Sequence, residues 1–555
     1  MVELPPHHFH QGLMLRISSI PQRHRRRDML GGLAAALLGG SALTGGFSGC
    51  AALHPTASRV DKWPSITPPT SSPERLYRLV NRATWGASAA DLAQAQAMGY
   101  AGWVRHQLHA PAPSAAQDGL PPWVQARIDA MSVQKLPLDL LMADVDSLRR
   151  AQESATGEEP RRAAQQRYQR ELGRLVREAS TRHVWRALHS PYQVREHMTW
   201  FWFNHFNVHQ FKANLRAMVG DYEDRAIRPH ALGRFRDLLG SVLHHPAMLR
   251  YLDNEQNAAG RPNENLGREL LELHTLGVDA PYSQRDVQEL SRVLTGHGVN
   301  LTSNTPRVRA DLQNLYRRAG LYEFNPARHD FGDKVLLGYR LQSRGAAELD
   351  EALDLLAQHP HTARFISRKL VQFFLGDAPA PGLVDRMSRT FLDSQGHIGQ
   401  VLEVLFLDPA FSAAGTPAFK DPMHFVLSGV RAAHEGQVIL NTVPVLTWFN
   451  RLGQGLYNRQ TPDGYPLSSD AWNGSGQMAT RFEIARQMGT SAAGLFRPED
   501  PSLGVDQPHM PQLATDAFKH YVQAGLRPTT RDVLAAATAR DWNALYLASP
   551  DFMER

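Results

Sequence analysis

"RRAAQQRYQRELGRLVREASTRHVWRAL", Arg161 to Leu188, decides the fold class. Apolar residues such as Leu172, Leu175, Val176 and Ala179 return at steps of three and four, the period of an amphipathic helix. Upstream, "LLMADVDSLRRAQ" has the same period. The intervening "ESATGEEP" supplies Gly157 and Pro160, so the two stretches predict a helical hairpin. The second arm runs towards "SPYQVREHMTWFWFNHF", where Ser190-Pro191 offers an N-cap and a first-turn proline for a new helix.

Working outward, "ELDEALDLLAQHP" and "HTARFISRKLVQFFLG" read as helices, the latter closed by Gly376. "IGQVLEVLFLDPAF" and "MHFVLSGVRAAHE" follow the same pattern. Alternating strand patterns are scarce, and "KVLLGYRL" is the best short one. No repeat of fixed period occurs. The stretches 298–334 and 453–480 read as long loops, which in compact domains are often functional. The expectation is a mainly α protein: one large multi-helix globular domain over 74–555, with long loops and little β.

The 555 residues suffice for a substantial core, and 42% hydrophobic with 21% charged residues is ordinary for a globular chain. The net charge of +6 is half explained by the first 50 residues, where five arginines (Arg16, Arg23, Arg25, Arg26, Arg27) face only Glu3 and Asp28. With no basic run or zinc knuckle elsewhere, nucleic-acid binding is not expected. A single cysteine, Cys50, excludes an intrachain disulfide.

The N-terminus reads as an address. Arg26-Arg27-Asp28-Met29-Leu30 has the twin-arginine pattern, and Gly31 to Gly46 is an uncharged, weakly apolar stretch too short for an ordinary membrane span. Phe47-Ser48-Gly49-Cys50 resembles a lipobox, with Phe in place of the usual Leu, which makes Cys50 the lipidation candidate. Residues 51–73 are rich in Pro, Ser and Thr and read as a tether. Signal (1–50), tether and helical domain predict an exported protein, periplasmic or in the cell envelope, touching the membrane only through a lipid anchor. Its expected partner is the twin-arginine export machinery.

The polar density peaks in "RPNENLGRELLELHTLG", Arg261 to Gly277. Asn263 is an N-cap candidate and Gly277 a stop. At 100° per residue, Asn265, Glu269, Glu272, Arg268 and Glu264 form one arc beside a leucine stripe. Glu264, Arg268 and Glu272 lie at i, i+4 and i+8, so Arg268 can bridge both carboxylates. That arc reads either as a solvated face or as a functional one. "YSQRDVQELSRVLTGHG" follows, opening on the capping-box pair Ser283 and Asp286 and ending at Gly296 before His297. If the two helices lie together, Glu269, Glu272, His274 and His297 are candidate metal ligands, although no Glu-x-x-His is present. In "MTWFWFNHFNVH", His205 is either a satisfied core histidine or, with His209 at i+4, a ligand. The run Asp253 to Asn257 reads as a pocket rim, and "FNPARHDFGDKVLLG" adds His329, Asp330 and Lys334 in a turn. Nucleophile-elbow, P-loop, dinucleotide and zinc-protease motifs are absent.

These segments together resemble the bacterial family called domain of unknown function 1800. The resemblance runs through "LYRLVNRATWGAS" (76–88), "VREHMTWFWFNHFNV" (194–208), "FRDLL…HHPAMLRYLDNEQN" (235–257), "PNENLGRELLELHTLGV" (262–278), "YSQRDVQELSRVLTGH" (282–297), "HDFGDKVLLG" (329–338) and "HPHTARFISRKLVQFFLGD" (359–377), with a fainter tail in "DAWNGSGQMATRF" (470–482), and covers most of 74–485. It implies a mostly helical fold, export, and a co-exported neighbouring protein as a partner, and no settled reaction. This chain departs from it at His297, where the family usually has Trp, at Phe203, where it often has His, and in "TPDGYP" (461–466).

Two functions are therefore expected to compete. One is an envelope enzyme, metal-dependent or not, with catalytic groups drawn from His205, Asp253, Glu269, Glu272, His329 and Asp330 and substrate contacts from Asn254, Asn257, Asn263, Asn265, Arg268 and Lys334. The other is a non-catalytic binding or assembly protein in which the same groups form buried polar networks. Perturbed, unpaired groups sharing a cleft favour the first; pairing to arginine favours the second.

Overall fold

A computed structural model describes residues 72–113, 118–302, 304–377, 380–413, 418–499 and 509–555. The signal, Cys50 and nearly all of the tether lie outside the described residues. Helix dominates what is described, and strand is confined to two small sheets, so the fold is mainly α. Among the described residues, no helix is long and apolar enough to cross a membrane.

The hairpin forms as its sequence dictates, from Leu138–Ser154 and Glu158–His189, turned at Gly157 with φ 91°. Its polar stretch near 161–171 stays largely exposed, while Ser180 to Leu188 is buried on all sides. Ser190 does not cap the next helix. The Gln193 carboxamide reaches back to Ala187 O at 3.1 Å and Ser190 O at 2.8 Å, satisfying the end of the preceding helix instead. The Gln193–His205 helix that follows is buried along its whole length, which the ring of Trp200, Phe201, Trp202 and Phe203 makes favourable. One apolar cluster then links residues from Leu76 to Met553.

The expected loop 298–334 is corrected in part. It contributes to an antiparallel sheet in which Tyr322–Phe324 lies between His297–Val299 and Arg317–Ala319, with His297 opposite Phe324. "KVLLGYRL" is a hairpin, Val335–Leu336 against Tyr339–Arg340. Leu337 (φ 51°) and Gly338 (φ 79°) supply the two left-handed residues of its tight turn.

The end of the chain returns to the core. Arg555 and Ala418 exchange backbone hydrogen bonds at 2.9 and 3.1 Å, and Lys420 N donates to Met553 O at 2.8 Å. The Arg555 guanidinium reaches Phe373 O and lies 2.8 Å from His424 Nδ1. Lys420 is fully buried, its ammonium 3.1 Å from Ser428 Oγ and 3.7 Å from the Phe552 ring centre.

Candidate functional site

The four asparagines expected to hold substrate are joined to the backbone. Asn254 donates to Leu294 O (3.1 Å) and His297 O (2.7 Å), and Asn257 donates to Ser291 O (2.9 Å) and Asn254 Oδ1 (3.1 Å). Asn257 Oδ1 accepts from Asn263 N at 2.9 Å, and Asn263 Oδ1 from Asn265 N at 3.0 Å. Asn265 in turn donates to Leu252 O at 3.3 Å. A short amide that both donates and accepts suits such ties. Asn263 therefore makes a local turn rather than the helix N-cap, which falls at Glu264. Asp253, in the left-handed region at φ 58°, binds Lys212 at 2.8 Å.

The glutamate helix has the ladder its spacing requires. Arg268 meets Glu264 at 3.0 Å, Glu272 at 3.3 Å and Gln284 at 2.8 Å. Its regular α-turns span only Asn265–Glu269, however, and Leu270–Thr275 forms a π-helical turn. A π turn carries an extra residue, so the α-helical phase does not extend past Leu270. Glu269 is half-buried and makes no hydrogen bond or ion pair among the described residues. Burial, then Glu272 and Asp463, raise its pKa above the ordinary carboxyl range. His274 is fully buried with neither ring nitrogen hydrogen-bonded, and burial with help from Lys369 lowers its pKa to about 3.

Opposite this helix, His205 stands at the end of Gln193–His205 and Lys369 on Pro360–Leu375. His205 Nε2 lies 3.0 Å from His274 O, which fixes that nitrogen as the donor. Nδ1 is then the acceptor, and Lys369 Nζ lies 2.9 Å from it. Burial, then Lys369 and His274, hold His205 well below its ordinary pKa, so the imidazole is neutral. Lys369 is half-buried and forms no salt bridge among the described residues. Burial lowers its pKa to about 8, opposed by Asp463.

Asp463, which was not among the expected site residues, reaches this position through the long loop expected at 453–480. Asn204 Oδ1 accepts from Tyr465 N (2.6 Å) while its amide donates to Tyr465 O (2.9 Å). Asn207 donates to Arg459 O and Thr461 O at 2.9 Å, and Tyr251 Oη to Gln460 O at 2.7 Å. Gly464, at φ 76°, lies so close to Asn204 that a Cβ there would come within 2.1 Å of its carbonyl oxygen. The aromatic helix therefore sets the loop, and the loop sets a carboxylate that acts on both Glu269 and Lys369.

Other expected site residues have separate partners. Asp330 accepts two bonds from Arg292, at 2.8 and 3.1 Å, which bring its pKa down to about 2. Lys334 and His329 are buried against Glu348, at 2.5 and 3.4 Å. His297 lies on the small sheet, its Nδ1 2.7 Å from Tyr322 Oη. The proposed metal set of Glu269, Glu272, His274 and His297 is not gathered: no group of three or more His, Cys, Asp or Glu is arranged to hold a metal among the described residues.

Sequence reasoning also missed a buried charge network. Arg228 grips Glu196 at 2.7 and 3.0 Å and Asp118 at 3.1 Å, Arg195 meets Asp118 at 3.0 Å, and Arg182 meets Asp224 at 3.2 Å. Arg186 joins Asp224, and Glu223 accepts from Tyr457 Oη and lies by His183 Nδ1, both at 2.9 Å. Burial favours the neutral acids, yet Arg228 and Arg195 hold Glu196, and Arg182 and Arg186 hold Asp224, well below the carboxylate range. A cavity of about 400 Å³ bounded by Asp91, His189, Arg431 and His434 shares no residue with either group. Its Arg431 is already bonded to Gly86 O, Leu188 O and Asp91.

Together the fold and site define a helical protein in which a half-buried acid and a half-buried amine, each on a helix, are acted on by a carboxylate that a locked loop sets. The chain belongs to the family described as Protein of unknown function (DUF1800), whose model matches residues 78–554. No curated protein and no solved structure matches it.

Proposed function

We propose that this chain is an exported cell-envelope enzyme of acid–base type, carried out by the twin-arginine machinery and anchored at Cys50. Glu269 serves as the acid, and Lys369 with neutral His205 as the base. The observation that carries the reading is Glu269: alone among the carboxylates expected at the site, it has no hydrogen bond or ion pair among the described residues, and its pKa is raised. A carboxyl whose pKa is raised and an amine whose pKa is lowered, both acted on by Asp463, suit proton transfer better than groups held at their ordinary values. Metal ligation is less well supported, because His274 and His297 are buried among different aromatic rings.

The test has two parts. Arg26→Lys with Arg27→Lys should retain the protein in the cytoplasm on fractionation. The wild-type protein, incubated with extracted envelope polymers, should yield products by mass spectrometry at about 100-fold or more the rate of Glu269→Gln or Lys369→Met. Equal rates in all three would overturn the enzyme reading. They would favour the second one, an envelope binding or assembly protein acting with a co-exported neighbour. The asparagine ties support that reading, since they turn the expected substrate contacts into scaffold.

A further inference from the structure

The chain contains only seven lysines, at positions 62, 135, 212, 334, 369, 420 and 519, against 53 arginines among its 60 lysines and arginines. Arginine does not lose its proton in proteins, whereas a lysine away from water can become a free amine. A lysine kept at a half-buried position in so arginine-rich a chain is therefore a chemical choice. Lys334 and Lys212 answer carboxylates, Glu348 at 2.5 Å and Asp253 at 2.8 Å. Lys369 instead faces an imidazole acceptor whose tautomer is fixed by a backbone carbonyl. With one N–H directed at His205 Nδ1, the nitrogen's lone pair is oriented away from the ring.

We infer that Lys369 is a nucleophile that captures the carbonyl group of an aldehyde or ketone substrate as an imine. This deepens the acid–base reading of the same site and rests on it. The Nζ lone pair adds to the carbonyl carbon, the C=O π bond opens, and one amine proton passes through His205 Nδ1 to the oxygen. A proton from solvent then lets the hydroxyl leave as water while C=N forms, and the iminium N–H returns that proton to solvent. One water is released, and no oxidant or reductant takes part. The groups facing the amine suit this order: neutral His205 and His274 withhold positive charge, and Asp463 stabilises the iminium.

The test is reductive trapping on the full-length chain with propanal and cyanoborohydride at pH 7.5, with each lysine followed by peptide mass spectrometry. The seven lysines compete within one folded molecule, so the result needs no variant. Lys369 should be alkylated about 10-fold or more faster than exposed Lys135, because more of its amine is unprotonated. His205→Phe, which removes the imidazole that passes the amine proton on, should slow labelling at Lys369 and leave Lys135 unchanged. Labelling of Lys369 no faster than Lys135 would overturn the inference. If Glu269→Gln still abolished turnover of envelope polymers, the imine would fall and the acid–base reading would stand.

Discussion

Two regions of this molecule bury charge in opposite ways. Around Asp118 and Glu196, four guanidiniums (Arg182, Arg186, Arg195, Arg228) meet three carboxylates, counting Asp224, while Glu223 is held by His183 and Tyr457. Around Asp463, a carboxyl and an amine both feel one carboxylate, and neither has a salt-bridge partner among the described residues. In the first region the arginines hold Glu196 and Asp224 well below the ordinary carboxyl range, as ionised acids. In the second, both groups are shifted towards exchange. Burial alone does not mark a reactive site; unmatched burial does.

The largest break in that comparison should come from Arg228→Met. Removing one partner leaves Glu196 and Asp118 under-compensated in the core, and a loss of about 3–5 kcal/mol in urea unfolding is expected. Asn254→Ala removes two buried amide bonds and should cost about 2 kcal/mol, lowering the thermal midpoint without changing the trapping rate at Lys369. Arg268→Ala touches only the half-exposed ladder and should cost under about 1 kcal/mol, screened by salt.

The smallest effect has the opposite sign. The folded pKa of Glu269 lies above its unfolded value, so the folded state binds more protons and loses stability as pH rises through that window. Glu269→Gln should therefore be slightly more stable than wild type near neutral pH, by under about 1 kcal/mol. The advantage should vanish below the ordinary carboxyl value of 4.5. A loss of stability at neutral pH would show that Glu269 has a partner and belongs with the matched region.

Short-range features were legible in the sequence. The hairpin, the Ser283–Asp286 capping box and the Glu264–Arg268–Glu272 ladder follow from spacings of three and four residues, which a helix turns directly into contacts. The candidate site was half legible: Glu269 and His205 stood out, whereas Lys369 and Asp463 did not. Lys369 sits in a run that reads as an ordinary amphipathic helix, and its signal is the rarity of lysine, a property of the whole chain. Asp463 depends on asparagine bonds spanning more than two hundred residues. The arginine network pairs positions from 118 to 228. The π turn at Leu270–Thr275 has no side-chain period to give it away.

The return of the chain's end to the core also sets a timetable. Residues 553–555 complete the wall around Lys420 and His424, so that wall is open until they have been made. At roughly 5–20 residues per second, 555 residues take about half a minute to two minutes on the ribosome. Throughout that interval the aromatic helix and the cationic groups destined for the interior stand incompletely covered, a long exposure for so apolar a surface. Covering that surface therefore takes residues 553–555 as well as the helices made before them.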